Sequence, residues 1–216
     1  MITVGILTFN RYDLLLKAID SAMQGTVKPD KILIVDNGGI LNNPMGDNVE
    51  IYRPGYNMGV AAGWNYIIKN TSEHRIIIND DIEFRPSTIE KIINRLNEGP
   101  GLVMTVLPAL NGFSCFAIKD SFVEKVGYFD EEISPGYAYY EDNDYVRRIV
   151  LAGLSAEVVT SGAEAIHTTS STLAAFTPAQ QMEHGRKFAL AQNNYIRKWG
   201  GMPLQEIYTI PYNGGV

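Results

Sequence analysis

Two clusters of acids carry the most chemical potential in this chain. Asn79-Asp80-Asp81 ends the β-branched run Ile76-Ile77-Ile78, and Glu141-Asp142 follows the aromatic stretch Tyr137 to Tyr140. Adjacent carboxylates repel one another unless a cation or several backbone donors offset the charge. Manganese or magnesium would do so, because these hard ions take oxygen ligands and commonly tie one or two carboxylates to a substrate's phosphates. If the extended backbone persists past residue 79, alternate side chains share a face, which puts Asn79, Asp81 and Glu83 on one side and Asp80 on the other. Asp81 is then the direct metal ligand. The plain alternative is a solvated turn, or capping of the helix that starts near Pro86-Ser87. Glu141 and Asp142 precede a helical pattern from Asn143 to Val150, where the helix dipole favours acids, so capping competes there with service as a general base.

These side chains need elements to position them. Ile2 to Thr8 reads as a buried strand, Asp13 to Met23 as an apolar-periodic helix, and Lys31 to Asp36 as a second strand ending in an acid and the Gly38-Gly39 turn. Strand, helix, strand in this order begins a parallel α/β sheet. Arg75 to Phe84 contributes another buried strand, and ligands of such sheets gather at the strands' carboxyl ends. The small residues Gly59, Ala61, Ala62 and Gly63 let a helix start approach a neighbour or a ligand closely. Ser87 with Glu90 forms a capping-box pattern for a helix to Asn97. Thr177-Pro178 starts a final helix, with Phe188, Tyr195, Ile196 and Trp199 expected to pack it on the sheet. Thr168 to Thr177 is polar and loop-like, a candidate lid.

Composition narrows the classes. With 216 residues, 45% of them apolar and 19% charged, the chain is expected to form one domain. The 18 basic against 24 acidic residues, a net charge of -6, argue against a nucleic-acid-binding surface. Cys115 is the only cysteine, so no internal disulfide forms, and its apolar neighbours predict a buried, inert thiol. No apolar run approaches the roughly 18 residues of a membrane span. A reducing, cytoplasmic setting fits best. Neither G-x-G-x-x-G nor a P-loop follows the first strand, so phosphates must be held another way. Asp36 could accept a hydrogen bond from a base N–H or a ribose hydroxyl, or simply cap its own turn. Asp144 and Arg148 are spaced as a helical ion pair, while His74 and His184 read as surface residues.

The order of features is recognisable. Thr8-Phe9-Asn10-Arg11, Val35-Asp36-Asn37, Asn57-x-Gly-x-Ala-x-Gly-x-Asn65 and Asn79-Asp80-Asp81 together closely resemble the family 2 glycosyltransferases of the GT-A fold. Gly112 to Ile118, Val126 to Glu131, Tyr140-Glu141-Asp142-Asn143-Asp144-Tyr145-x-x-Arg148, His167 and Tyr195 to Gly201 extend the match over nearly the whole chain. One departure stands out: the family's D-x-D element has Asn79 in the first acid's place. The resemblance implies a single mostly parallel, mixed-sheet Rossmann-like domain, with a nucleotide-binding half over about residues 1–100 and an acceptor half over about 101–216.

It also implies a metal-dependent, inverting transfer from a nucleotide-diphosphate sugar, with a UDP-sugar expected, to a hydroxyl of a glycan or glycoprotein. Asp142 is then the base, Glu141 orients it or the acceptor, and Asp81 holds manganese or magnesium. His167 meets the metal or the diphosphate. The donor set is Thr8, Asn10, Arg11, Asp36, Asn57, Gly59, Gly63, Asn79 and Asp80, with Asn79 hydrogen-bonding the ribose or sugar. A sugar-nucleotide pyrophosphorylase and a non-catalytic sugar-nucleotide-binding module are the alternatives; the first expects a Gly-rich basic loop where Thr8 to Arg11 stands. The compact chain also resembles small glycosyltransferase domains that large DNA viruses use on capsid proteins, which would place it in host cytoplasm. Its start at a strand and its end at Gly214-Gly215-Val216 are compatible with a module of a longer polypeptide.

Overall fold

A computed structural model describes residues 1–39, 41, 46–72, 74–105, 112–159, 165–167 and 176–214. The strands are β1 (Thr3–Thr8), β2 (Lys31–Asp36), β3 (Val49–Tyr52), β4 (Arg75–Asn79), β5 (Ile82–Glu83), β6 (Leu102–Met104), β7 (Cys115–Ile118), β8 (Glu157–Val158) and β9 (Ile166–His167). The helices are α1 (Tyr12–Met23), α2 (Val60–Lys69), α3 (Thr88–Asn97), α4 (Asp120–Val126), α5 (Glu141–Leu151) and α6 (Pro178–Trp199). Seven strands form one sheet in the order β3-β2-β1-β4-β7-β6-β8, and β5 pairs with β9 in a separate ribbon.

The first four strands of that order run parallel, and β7 enters antiparallel to both β4 and β6. Two-residue alternation explains why both faces are buried. Val4, Ile6, Ile32, Ile34, Ile76 and Ile78 pack against α1 and α3 through Leu15, Ile19, Ile89 and Ile92. Leu7, Leu33, Val35 and Ile77 pack against α2, α4 and α5 through Trp64, Ile67, Phe122, Val123 and Tyr145. Because β1, β2 and β4 are parallel, their carboxyl ends deliver Thr8, Asp36 and Asn79 to the same edge. Cys115 is fully buried in β7, and burial pushes its thiol pKa up to about 12, which keeps it protonated.

Several expectations give way to the structure. The strand through residue 79 does not continue: Asp80 and Asp81 form a turn before β5, so the simple alternation of faces fails there. Ser87 precedes α3 without a side-chain capping bond. Glu90 instead accepts from Thr26 Oγ1 at 2.7 Å, and Thr88 Oγ1 accepts from the Arg85 N–H at 3.0 Å. Helix α5 starts at Glu141, two residues earlier than its apolar pattern suggests. The cap at Thr177 forms as expected, with Thr177 and Gln180 making the reciprocal bonds of a capping box. Thr168 to Ala175, most of the candidate lid, lies outside the described residues.

The last helix packs elsewhere than expected. Ala191, Tyr195 and Trp199 bury against Ile133 and Tyr140, with Phe188 half-buried beside them, so α6 covers the segment leading into α5 and not the sheet. An ionic cluster fastens it. Lys198 Nζ lies 2.6 Å from both Asp130 Oδ2 and Asp144 Oδ1, and Trp199 Nε1 donates to the same Asp144 oxygen at 2.9 Å. Arg148 Nε donates to the other Asp144 oxygen at 2.9 Å, which forms the anticipated helical pair. Asp144 is fully buried, so all these donors are needed to offset its lost hydration. Removing one partner of such a cluster costs about 3–5 kcal/mol.

Candidate active site

One cavity of about 720 Å³ opens at the carboxyl ends of β1 and β4, with Thr8, Asn79, Asp80, Asp81, Glu141, Asp142 and His167 in its wall. The two acid clusters read from the sequence, more than fifty residues apart in the chain, therefore face a common space. Among the described residues, its charged lining is acidic, and neither lysine nor arginine reaches it.

The two central acids differ in their surroundings. Asp80 is buried and accepts hydrogen bonds from Thr8 Oγ1 at 2.7 Å and from the Phe9 N–H at 3.3 Å, which ties the ends of β1 and β4 together. Burial pushes its pKa up to about 6, and the Asp81 charge adds to the rise. Asp81 turns the other way: its Oδ2 lies 3.3 Å from His167 Nε2, and among the described residues its buried Oδ1 has no hydrogen-bond partner. The ribbon explains the contact, because antiparallel pairing sets Ile82 opposite His167. A buried carboxylate oxygen without a donor is costly and calls for an occupant. An open oxygen and an imidazole nitrogen suit manganese or magnesium, whose remaining positions are commonly filled by water and substrate phosphate. No set of three histidine, cysteine or acidic side chains converges as a cage among the described residues.

Glu141 and Asp142 open α5 after an unusual backbone. Tyr139 and Tyr140 have φ of 89° and 68°, a left-handed conformation that bulky residues rarely adopt. Such residues cost about 1–3 kcal/mol each and persist only where the surroundings over-determine them. Here Tyr140 is held by Gln192 Nε2, which donates to its hydroxyl at 2.7 Å, and by burial against Tyr195. Glu141 is almost fully buried and accepts from Ser134 Oγ at 3.0 Å. Asp142 is only half-buried and accepts from the Asn143 N–H at 2.7 Å. Burial raises the pKa of both, and for Glu141 the neighbouring Asp142 charge raises it further.

That shift has a stability consequence. A carboxyl whose pKa is raised on folding binds a proton more readily in the folded state, so its burial is tolerated at low pH and penalised as pH climbs through the raised value. Glu141→Gln keeps an oxygen to accept from Ser134 and removes the charge. We expect this variant to melt higher than the parent at pH 8, by about 3 °C per kcal/mol relieved, with the gap closing toward pH 4. Paired thermal melts at the two pH values check it.

The remaining predicted residues divide. Asn57 and Gly59 line the cavity: Asn57 Oδ1 accepts from the Gly59 N–H at 3.0 Å, and Gly59 has a φ of 88°. A Cβ on Gly59 would lie 2.7 Å from the Tyr137 backbone nitrogen, so the glycine lets this turn and the loop before α5 touch. Asn10, Arg11, Asp36 and Gly63 are not in the cavity wall. Arg11 is engaged with Asp13 through two hydrogen bonds. The Asp36 carboxylate accepts from the N–H groups of Gly38, Gly39 and Leu41 and from the Tyr12 hydroxyl, which makes it the cap of its own turn. Asn10 packs its amide on Gly38, and Gly63 lets α2 sit on Leu7, where a Cβ would meet a methyl at 2.5 Å. Sequence reasoning missed Asn37, whose amide bridges the Gly59 carbonyl and the Met58 N–H, and the apolar floor of Leu7, Val60, Trp64 and Phe113. His184, read as a surface residue, instead bonds the Tyr137 hydroxyl at 2.9 Å.

Residues 3–131 match the model of one protein family, described as glycosyl transferase family 2. The chain belongs to that family. Among curated proteins, no sequence match is found. Among solved structures, this family 2 glycosyltransferase is similar to a mannosyltransferase, PcManGT from Pyrobaculum calidifontis, in complex with GDP-Man and Mn2+, at a TM-score of 0.63 and 14% identity. That match covers 94% of this chain and 66% of the other, so the chain spans slightly less than two thirds of it. It is also similar to S. aureus TarS 1-349, with a TM-score of 0.58, 12% identity, and coverage of 91% and 72%. Against the longer TarS structure the coverage of that protein falls to 43%, at 13% identity and a TM-score of 0.58. These likenesses show that the fold is GT-A. The family match stops at residue 131, so Glu141, Asp142 and His167 of this glycosyltransferase lie beyond it.

Proposed function

We propose that this family 2 glycosyltransferase moves a sugar, with inversion, from a nucleotide-diphosphate donor to a hydroxyl of a glycan or glycoprotein, using manganese or magnesium. The observation that carries the reading is the shared cavity, with the open Asp81 oxygen beside His167 and the half-buried Asp142 in one wall. A diphosphate entering a cavity whose charged side chains are acidic needs a cation to accompany it. Asp81 and His167 would hold the metal, which supplies Lewis acidity to the departing diphosphate. A neighbour in complex with GDP-Man and Mn2+ supports a divalent metal together with a nucleotide sugar.

The rest of the chemistry belongs to side chains. Asp142 accepts the proton of the acceptor hydroxyl as that oxygen bonds to the anomeric carbon. The bond from that carbon to the diphosphate breaks with its electron pair leaving on the nucleotide, so attack from the opposite face inverts the centre. Glu141, held by Ser134, positions Asp142 and the acceptor. Asn79 and Asn57, both in the cavity wall, offer amides to the ribose or sugar, and residues 1–100 form the donor half. Burial raises the Asp142 pKa, which makes it a stronger base than an ordinary aspartate. The donor we assign is a UDP-sugar. Incubating the protein with manganese and a panel of UDP-sugars, GDP-mannose among the comparisons, is expected to release nucleoside diphosphate fastest from one UDP-sugar. Release of pyrophosphate, or binding with no turnover on any acceptor, would reject the assignment.

A further inference from the structure

The side of the cavity that carries Asp142 is aromatic. Tyr137, Tyr139, Tyr140, Phe176 and Phe188 line it, contributed by the loop before α5, the residue pair before α6 and the middle of α6. Phe188 packs 5.1 Å from Tyr139 and 5.5 Å from Tyr140 between ring centroids, with planes tilted at 65° and 60°. Tyr137 is fixed twice, by the His184 Nδ1 contact at its hydroxyl and by its carbonyl, which accepts from the Val60 N–H at 2.6 Å. Tyr137, Tyr139, Phe176 and Phe188 are only half-buried, so this is a surface left open and not a closed core.

Its electrostatics select a partner. Aromatic faces are apolar and electron-rich, and they attract the weakly positive C–H groups of a flat partner. The acids in the same wall are Glu141 and Asp142, and neither offers an anion a cationic partner. Lys187 lies 4.8 Å from the Tyr137 ring centroid, but it is outside the cavity wall and faces Glu183 at 3.9 Å. A sugar ring without charge fits all of this, because it presents C–H groups on one face and hydroxyls around its rim.

We infer that the aromatic shelf of Tyr139, Phe188 and Phe176 receives the acceptor, and that the acceptor's terminal unit is an uncharged sugar ring stacked there with one hydroxyl toward Asp142. A phosphorylated polyol, a uronic acid or a bare protein side chain is thereby disfavoured. This inference rests on the proposed transfer reaction, but its test is separable because it uses binding without any donor. Saturation-transfer NMR on the wild-type chain would use the methyl glycosides of glucose, galactose, xylose and rhamnose, with methyl glucuronide and ribitol phosphate as charged probes. At least one neutral glycoside is expected to bind through its ring C–H groups, and Phe188→Ala to weaken it tenfold or more. Phe188→Leu keeps apolar bulk while removing the ring, so its weakened binding would decide the matter if the alanine variant fails to fold. Tighter binding of the charged probes, binding of no neutral glycoside, or neutral binding that survives both substitutions would overturn the inference. Failure of the nucleotide-sugar panel alongside intact glycoside binding would instead count against the transfer reading.

Discussion

An Asp142→Asn enzyme is expected to fold, to bind donor with metal, and to transfer sugar about 10²- to 10⁴-fold more slowly, the range usual for removing a general base. The structure gives reasons for each part. The asparagine oxygen can still accept from the Asn143 N–H, the hydrogen bond that holds Asp142 now. Burial already disfavours the ionised acid, so a neutral amide removes a penalty and stability holds or rises. What disappears is the carboxylate lone pair proposed to take the acceptor's proton. Calorimetry for donor binding and product analysis for transfer separate the two effects, and a well-folded variant with full transfer rate would sink the assignment of the base. In the parent enzyme, the acid limb of the rate profile is expected above the ordinary carboxylate range, because the base must be ionised and burial has raised its pKa.

Asp81→Ala should remove most of the gain in donor affinity that manganese brings. A metal on phosphoryl oxygens contributes several kcal/mol, and about 1.4 kcal/mol is tenfold, so a loss of about two orders of magnitude follows. The fold should survive, since Asp81 Oδ1 supports no hydrogen bond and Oδ2 meets only His167 among the contacts described. Titration with the nucleotide sugar, with and without manganese, measures this directly. A variant whose affinity still rises with manganese as in the parent would show that the ion sits elsewhere.

Much of the scaffold was legible because its signals are local. The β-branched runs of β1, β2 and β4 and the apolar period of α1 announce buried parallel strands and a covering helix. The two-residue ribbons were not legible, since β5 and β9 are too short to carry a pattern, yet their pairing is what brings His167 to Asp81. Asp36 shows the opposite difficulty. An acid at the end of a strand before two glycines reads as ligand or as cap, and the turn's N–H groups converging on it show the capping bonds. The amide at Asn37 escaped because its value lies in linking residues far along the chain. His184 and the half-buried rings around it escaped for the same reason, as helix periodicity places α6 against something without saying what.

The Lys198 ammonium joins two acids from different stretches, and one of them, Asp144, shares the first turn of α5 with Asp142. Asn194 grips the same region by donating to the Glu132 and Ile133 carbonyls, just before the Ser134 that holds Glu141. The terminal helix is thus a splint for the start of α5, where the proposed base sits. Trimming the chain back to its family-matched portion would remove α5 together with the helix that fastens it, so the proposed base and its support leave in the same cut.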